Sequence, residues 1–166
     1  MAVEELKRFL SFVILCFGQV LVFNHIRLFG CAMPLLCVYF AITIPRGYPK
    51  WASLLWCFTL GLAVDVFSNT PGVGTGSMTL VAMMQTYLLE LFVPRDSIPN
   101  LESSISTIGI TKFATMAFIL VFVYCLTFYM LEMFSFFNWL QWLLNVVAST
   151  LLTFVLIMAF EYVRQA

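Results

Sequence analysis

The sequence has little charge and only one histidine. Charged residues make up 10% of the 166 residues, against about 25% in soluble domains. Eight Lys and Arg balance eight Asp and Glu, so no basic face can form and nucleic-acid binding is not expected. Intrinsic disorder is excluded too, because disordered chains combine low hydrophobicity with high net charge.

Residues that bind metals or catalyse reactions are also scarce. His25 has no cysteine or carboxylate at ligand spacing, and no Cys-x-x-Cys pair occurs, so neither a metal nor a cofactor is expected. The only histidine that could act as the base of a serine hydrolase, His25, has no carboxylate nearby in the sequence, and Asp65 and Glu90 are predicted towards opposite membrane faces. We therefore expect a protein that is not an enzyme. The cysteines are predicted to be small buried apolar residues, and they are Cys16, Cys31, Cys37, Cys57 and Cys125.

Apolar side chains dominate what is present. Hydrophobic residues reach 63%, including 18 Phe and nine Met. A globule of this size would expose far more than the few hundred Å² of apolar patch usual for soluble monomers. The composition therefore predicts an integral membrane protein in contact with a lipid bilayer.

Six segments approach the roughly 20 apolar residues needed to cross a bilayer. The predicted fold class is an all-α integral membrane protein, a compact bundle of six transmembrane helices forming one domain over residues 1–166. A tight hairpin near Asn24–Arg27 separates the first two spans, because one continuous helix would be too long for the bilayer. The predicted spans are Leu6–Phe23, Leu28–Ile44, Trp51–Phe67, Met78–Val93, Ile108–Leu131 and Trp139–Phe160.

The distribution of Lys and Arg predicts the orientation, because these residues accumulate on the cytoplasmic side. Six spans leave only Arg27 on the outer side. Both termini are therefore predicted to be cytoplasmic, with the first span retained because no small-residue cleavage site follows it. The predicted cytoplasmic residues are Lys7, Arg8, Arg46, Lys50, Arg95, Lys112 and Arg164.

Asp65 is a candidate site residue late in the third span, with Ser68 three residues further on the same helix face. A carboxylate within a span is costly and is by default a functional candidate, as an anchor for a partner, ligand or proton. Alternatively, Asp65 satisfies backbone N–H groups of the Ser68–Ser77 connection. That connection includes Pro71 and Gly72, lacks the lysine of a phosphate-binding loop, and is predicted to be tight or partly re-entrant.

A polar stripe is the second candidate. Gln141, Asn145, Ser149 and Thr153 recur every four residues in the sixth span, which places them along one helix face. Such side chains form hydrogen bonds between transmembrane helices worth about 1 kcal/mol each. The stripe predicts packing either inside the bundle or against a partner's helix.

The segment Gly61-Leu62-Ala63-Val64-Asp65-Val66-Phe67-Ser68, continuing to Pro71-Gly72, resembles the signature of the rod shape-determining protein MreD family. Phe92–Asp96 is similar to variants in the Bacteroidetes branch of that family. Where many relatives have Met-His-Ala-Ala after the Pro-Gly region, this chain has Val73-Gly74-Thr75-Gly76.

The resemblance implies a fold similar to the substrate-binding subunits of energy-coupling-factor transporters. It also implies a non-enzymatic scaffold of the cell-wall elongation complex in the bacterial inner membrane. Such a scaffold binds and stabilises an MreC-like single-span protein, together with MreB, RodA and a class B penicillin-binding transpeptidase. Asp65, Ser68, Pro71 and Gly72 carry over as structural or partner-binding residues. The alternative is a vitamin-binding transporter subunit, with Ser68–Ser77 and the Gln141–Asn145–Ser149 stripe lining an outward cavity.

Overall fold

The computed structural model describes residues 2–23, 35–93, 105–133 and 138–165, and within these ranges it is helical without strands. The predicted all-helical class is therefore confirmed. The elements are α1 (Ala2–Gly18), a π-helical turn that follows it directly (Gln19–Phe23), α2 (Cys37–Ile42), α3 (Lys50–Ser68), α4 (Val73–Phe92), α5 (Ile105–Ile108), α6 (Ile110–Glu132) and α7 (Trp139–Gln165).

Among the described residues, three helices are long and apolar enough to cross a membrane, namely α3, α6 and α7. They coincide with the third, fifth and sixth predicted spans. The other predicted spans correspond to α1 with its π-helical turn, to α2 and to α4, none of which meets that criterion. A helical protein with three candidate membrane-crossing helices is thus supported, and the number six stays a prediction.

The short helix α2 lies at the centre of the molecule. All six of its residues are buried, and it contacts α1, α3, α4 and α6. A helix that is apolar on every side can be buried on every side. The chain at the start of α2 needs side-chain acceptors, because the first N–H groups of a helix lack partners within the helix. Leu36 donates its N–H to Gln19 at 2.9 Å, and Leu35 donates to the Thr153 hydroxyl at 3.1 Å.

Each long helix packs against the long helix that follows it in the chain, from α3 to α7. Helix α3 packs on α4, α4 on α6, and α6 on α7, while α1 lies against α2 and α3. Apolar side chains such as Phe9 and Phe17 on α1 and Leu151 and Val155 on α7 are exposed. These faces are the surface that lipid would cover.

The connection between α3 and α4 is shorter than predicted. The turn is Asn69–Gly72, and α4 begins at Val73 rather than at Met78. The predicted boundary was too late because it followed hydropathy, and the polar residues Thr75 and Ser77 lower the hydropathy of the first turn.

Some predictions fall outside the described residues. These include the hairpin at Asn24–Arg27, the first part of the second span, and the loop that contains Arg95. Of the cysteines, Cys31 also lies outside, whereas Cys37, Cys57 and Cys125 are buried as predicted and Cys16 is half-buried.

Candidate functional site: the Asp65 corner and the polar face of α7

Asp65 lies in the last turn of α3 and is only 5% exposed. Its carboxylate accepts the backbone N–H groups of Gly72 at 3.1 Å, Gly74 at 2.7 Å and Thr75 at 2.8 Å. The hydroxyl of Thr75 donates to it at 2.6 Å, and that of Thr70 at 3.4 Å. One buried carboxylate therefore collects five hydrogen bonds from the turn and from the start of α4.

These donors are the N–H groups that a helix start leaves without partners. A carboxylate is the strongest acceptor for them, because it also faces the positive end of the helix dipole. The other N–H groups here are paired as well, since Val73 donates to the Thr70 carbonyl and Gly76 to that of Gly72. The interpretation of Asp65 as a local acceptor for the connection therefore matches its hydrogen bonds.

Two glycines allow α3 and α4 to approach closely at this corner. A Cβ added at Gly61 would lie 2.7 Å from the Thr75 Cα and 2.8 Å from the Gly74 carbonyl oxygen. A Cβ at Gly74 would lie 2.7 Å from the Asp65 carboxylate. A larger residue at Gly61 would push the two helices apart, and one at Gly74 would displace the Asp65 carboxylate.

The other motif residues form the turn itself. Ser68 is the last residue of α3, and Pro71 is exposed. Gly72 has φ of +88°, a left-handed conformation that favours glycine. Asn69 also has positive φ, at 57°, as the residue that ends α3, and Asn tolerates this conformation better than most residues. The segment Asp65–Gly72 thus folds as one compact corner.

The polar stripe of α7 points mainly inward. Asn145, Ser149 and Thr153 are buried, whereas Gln141 is exposed. Ser149 and the Tyr129 hydroxyl of α6 lie 2.7 Å apart, and Thr153 accepts the N–H of Leu35. For Ser149 and Thr153 the structure therefore shows internal packing, which is one of the two predicted alternatives.

Asn145 differs from these two residues. Its side-chain oxygen and the indole nitrogen of Trp142 are buried, and neither has a hydrogen-bond partner within the described residues. An unpaired buried polar atom costs about 1–3 kcal/mol. One atom is an acceptor and the other a donor, and the residues lie three apart on one helix face. The first turns of α7 therefore hold polar atoms that the described part of the bundle does not satisfy.

Glu161 is a site residue that the sequence analysis missed. It is fully buried on α7 and accepts the Tyr39 hydroxyl at 2.6 Å. Arg164 lies 3.9 Å from the same carboxylate oxygen, and Gln165 donates to the other at 3.2 Å. The sequence pattern that could have indicated Glu161 is the four-residue repeat of the stripe. Continued beyond Thr153, this repeat reaches Ile157 and then Glu161.

A cleft of about 880 Å³ opens where α1 begins and α7 ends. Trp51 and Ala52 at the start of α3 line it, whereas Asp65 lies in the last turn of that helix. No residue of Ser68–Ser77 and none of Gln141, Asn145 and Ser149 borders this cleft. This cleft is therefore separate from the candidate residues Asp65, Ser68, Pro71, Gly72, Gln141, Asn145 and Ser149.

No family model, curated protein or solved structure matches the chain. The likeness to the MreD family thus rests on the sequence motif. Within the described ranges, no three His, Cys, Asp or Glu residues are grouped so that they could hold a metal ion. Fold and site together define a helical protein with candidate membrane-crossing helices, whose buried polar side chains mostly join one helix to another.

Proposed function

We propose that this protein is a non-enzymatic membrane scaffold that binds the transmembrane helix of a single-span, MreC-like partner. In this role it supports a bacterial inner-membrane complex with MreB, RodA and a class B penicillin-binding transpeptidase. The observation that carries the proposal is the pair of unsatisfied polar atoms on Asn145 and Trp142. The resemblance of Gly61–Gly72 to the MreD signature supplies the identity of the partner.

The physical argument is that lipid chains offer neither donors nor acceptors. A partner helix with Ser, Thr or Asn at its interface offers both, and such bonds join transmembrane helices. The exposed residues beside Asn145 are Gln141, Leu144 and Leu151. They form a mixed polar and apolar ridge next to Asn145, on which one partner helix would pack.

The Asp65 corner supports this role indirectly. It joins α3 to α4 through five hydrogen bonds and a glycine contact. A scaffold needs a rigid frame, and a satisfied buried carboxylate rigidifies its surroundings. The motif is therefore proposed to set the frame, while α7 meets the partner.

The vitamin-binding alternative is less well supported. It needs a polar cavity bounded by Ser68–Ser77 and by the Gln141–Ser149 stripe. The cleft of about 880 Å³ is bordered by neither, and Ser149 is already bonded to Tyr129. Of the residues that would hold a vitamin, none borders the cleft and Ser149 is engaged in packing.

The test is a pull-down of the tagged full chain from its native membrane in mild detergent, with mass spectrometry of what is bound. We expect an MreC-like single-span protein, and we expect Asn145→Leu and Gln141→Leu to reduce its recovery severalfold. Thr115→Val is the matched control, because this exposed hydroxyl on α6 bonds only to its own helix, at the Thr111 carbonyl.

Two results would contradict the proposal. One is recovery of a paired ATPase module with a bound vitamin, which would assign the fold to transport. The other is full recovery of the single-span partner with Asn145→Leu and Gln141→Leu combined, which would remove α7 as the contact face.

A further inference from the structure

The cleft at the start of α1 combines cationic and apolar walls. It is bounded by the first turns of α1, by the segment from Tyr39 to Ala52, and by the end of α7. Three basic side chains line it from two distant parts of the chain. They are Lys7, Arg8 and Arg164, and the apolar wall includes Leu10, Phe40 and Phe160.

Arg8 is held in the wall of the cleft. Its side chain is 14% exposed, and its guanidinium carbon lies 4.0 Å from the centre of the Tyr48 ring. Glu5 pairs with it at 3.0 Å, but that side chain is 51% exposed. Glu4, also in the lining, is exposed as well. The cleft lining carries three cations, Lys7, Arg8 and Arg164, against these two acids, so it keeps a net positive charge.

Arg164 reaches the cleft from the opposite end of the chain. It donates to the Tyr39 hydroxyl at 3.4 Å and lies 3.9 Å from the Glu161 carboxylate. Glu161 is fully buried and does not border the cleft. Tyr39 is therefore held between Glu161 and Arg164, which fixes the position of the second guanidinium beside the cleft.

The apolar residues at the mouth of the cleft are exposed, among them Leu10, Trp51 and Phe160. They continue the apolar surface that lipid covers. A molecule that enters here meets hydrocarbon-like side chains and guanidinium groups together. Guanidinium groups pair with phosphate oxygens through charge-assisted hydrogen bonds, and basic pockets between transmembrane helices bind lipid headgroups.

We propose that this cleft binds a membrane phospholipid, with the headgroup phosphate at Arg8, Arg164 and Lys7 and an acyl chain along Leu10 and Phe160. The proposal does not depend on the scaffold role. It needs only a protein in the membrane and the geometry of the cleft.

The test is native mass spectrometry of the full chain in mild detergent, titrated separately with phosphatidylglycerol, phosphatidylethanolamine, diacylglycerol and inorganic phosphate. We expect each phospholipid to bind with a stoichiometry of one molecule per chain. Its affinity should be about tenfold higher than that of diacylglycerol, which has the same chains without a phosphate. Inorganic phosphate, which has no chain, is expected to bind more weakly than either phospholipid.

Phospholipid binding by substituted chains tests whether the lipid binds in this cleft. Arg164→Gln and Lys7→Gln are each expected to weaken phospholipid binding about tenfold, while Arg8→Lys keeps a cation and most of the binding. Lys112→Gln is the matched control, because Lys112 is an exposed cation on α6 outside the cleft. Equal binding of diacylglycerol, equal binding of inorganic phosphate, or equal losses with Lys112→Gln would each overturn the proposal.

Discussion

At the scale of single residues, two buried carboxylates, Asp65 and Glu161, accept hydrogen bonds from different parts of the chain. Asp65 lies inside an apolar span, and its carboxylate oxygens accept N–H groups of the turn and of the start of α4. Glu161 lies one residue beyond the predicted end of its span and is fully buried. The position of a carboxylate within an apolar run therefore indicates that burying it costs free energy. Its hydrogen-bond partners decide which role it has.

Replacing Asp65 with Ala should destabilise the protein by about 2 kcal/mol or more. The N–H groups of Gly72, Gly74 and Thr75 would lose their acceptor, and an unsatisfied buried donor costs about 1–3 kcal/mol. Thermal unfolding of the purified protein in detergent measures the loss. Thr59→Ala is the control, because its exposed hydroxyl bonds only to the Leu55 carbonyl of its own helix.

The same variant tests the cellular role of Asp65. If the corner sets the scaffold's frame, cells that carry Asp65→Ala should lose normal shape and hold less of the MreC-like partner. Unchanged cell shape and partner level would remove Asp65 from the functional account, while equal stability of the Asp65 and Thr59 variants would contradict the structural one.

Gly61→Ala should separate α3 from α4. The added Cβ would meet backbone atoms of Gly74 and Thr75 at under 3 Å, and forcing such contacts costs about 1–3 kcal/mol. Gly76→Ala is the control, since its Cβ would meet only the end of the Leu131 side chain at 3.3 Å. A lower unfolding temperature is expected for the first variant alone, and a loss of similar size in both would contradict the close crossing.

At the scale of helices, α2 depends on α7. Helix α2 has only six residues, which is too few for a stable isolated helix. Its stability comes from contacts with its neighbours, including the hydrogen bond from Tyr39 to Glu161 on α7. Two polar residues of α7, Thr153 and Glu161, therefore hold the centre of the molecule through Leu35 and Tyr39.

Tyr39→Phe should lower stability by about 1–3 kcal/mol, because the buried Glu161 carboxylate would lose a donor. A double-mutant cycle with Glu161→Gln measures the coupling of the two residues in thermal unfolding. Tyr162→Phe is the control, since that ring is exposed on the same helix. Additive effects of the Tyr39 and Glu161 variants would show that the contact contributes nothing.

At the scale of the whole molecule, the start of α1 and the end of α7 border one cleft, through Arg8 and Arg164. The two ends of the described chain therefore lie at the same end of the bundle. The Asn69–Gly72 turn lies about 28 Å away along α3, from its 19 residues at about 1.5 Å each. This arrangement agrees with termini on one side of a membrane, and the distribution of Lys and Arg predicts the cytoplasmic side.

Cysteine labelling tests this topology. Pro71→Cys should react with a membrane-impermeant maleimide in intact spheroplasts, because Pro71 is exposed in the predicted outer turn. Val163→Cys, on an exposed position near the end of α7, should react only after the cells are opened. The unsubstituted chain measures the background from native cysteines. Reaction of both variants in intact cells would place the two positions on one side and contradict the predicted orientation.

Local properties of the sequence determined the class of protein and much of its helical structure. Apolar length predicted α3, α6 and α7, because the free energy of placing side chains in lipid depends on the composition of each segment, while a helix satisfies its own peptide groups. Spacing placed Ser149 and Thr153 on one face, and an acid before a glycine-rich turn indicated an acceptor at Asp65. Only the tertiary structure decided that α4 begins at Val73, that α2 is central and that Glu161 is buried. These depend on partners elsewhere in the chain, as Tyr39 and Glu161 show, and local patterning does not identify which distant residues form such pairs.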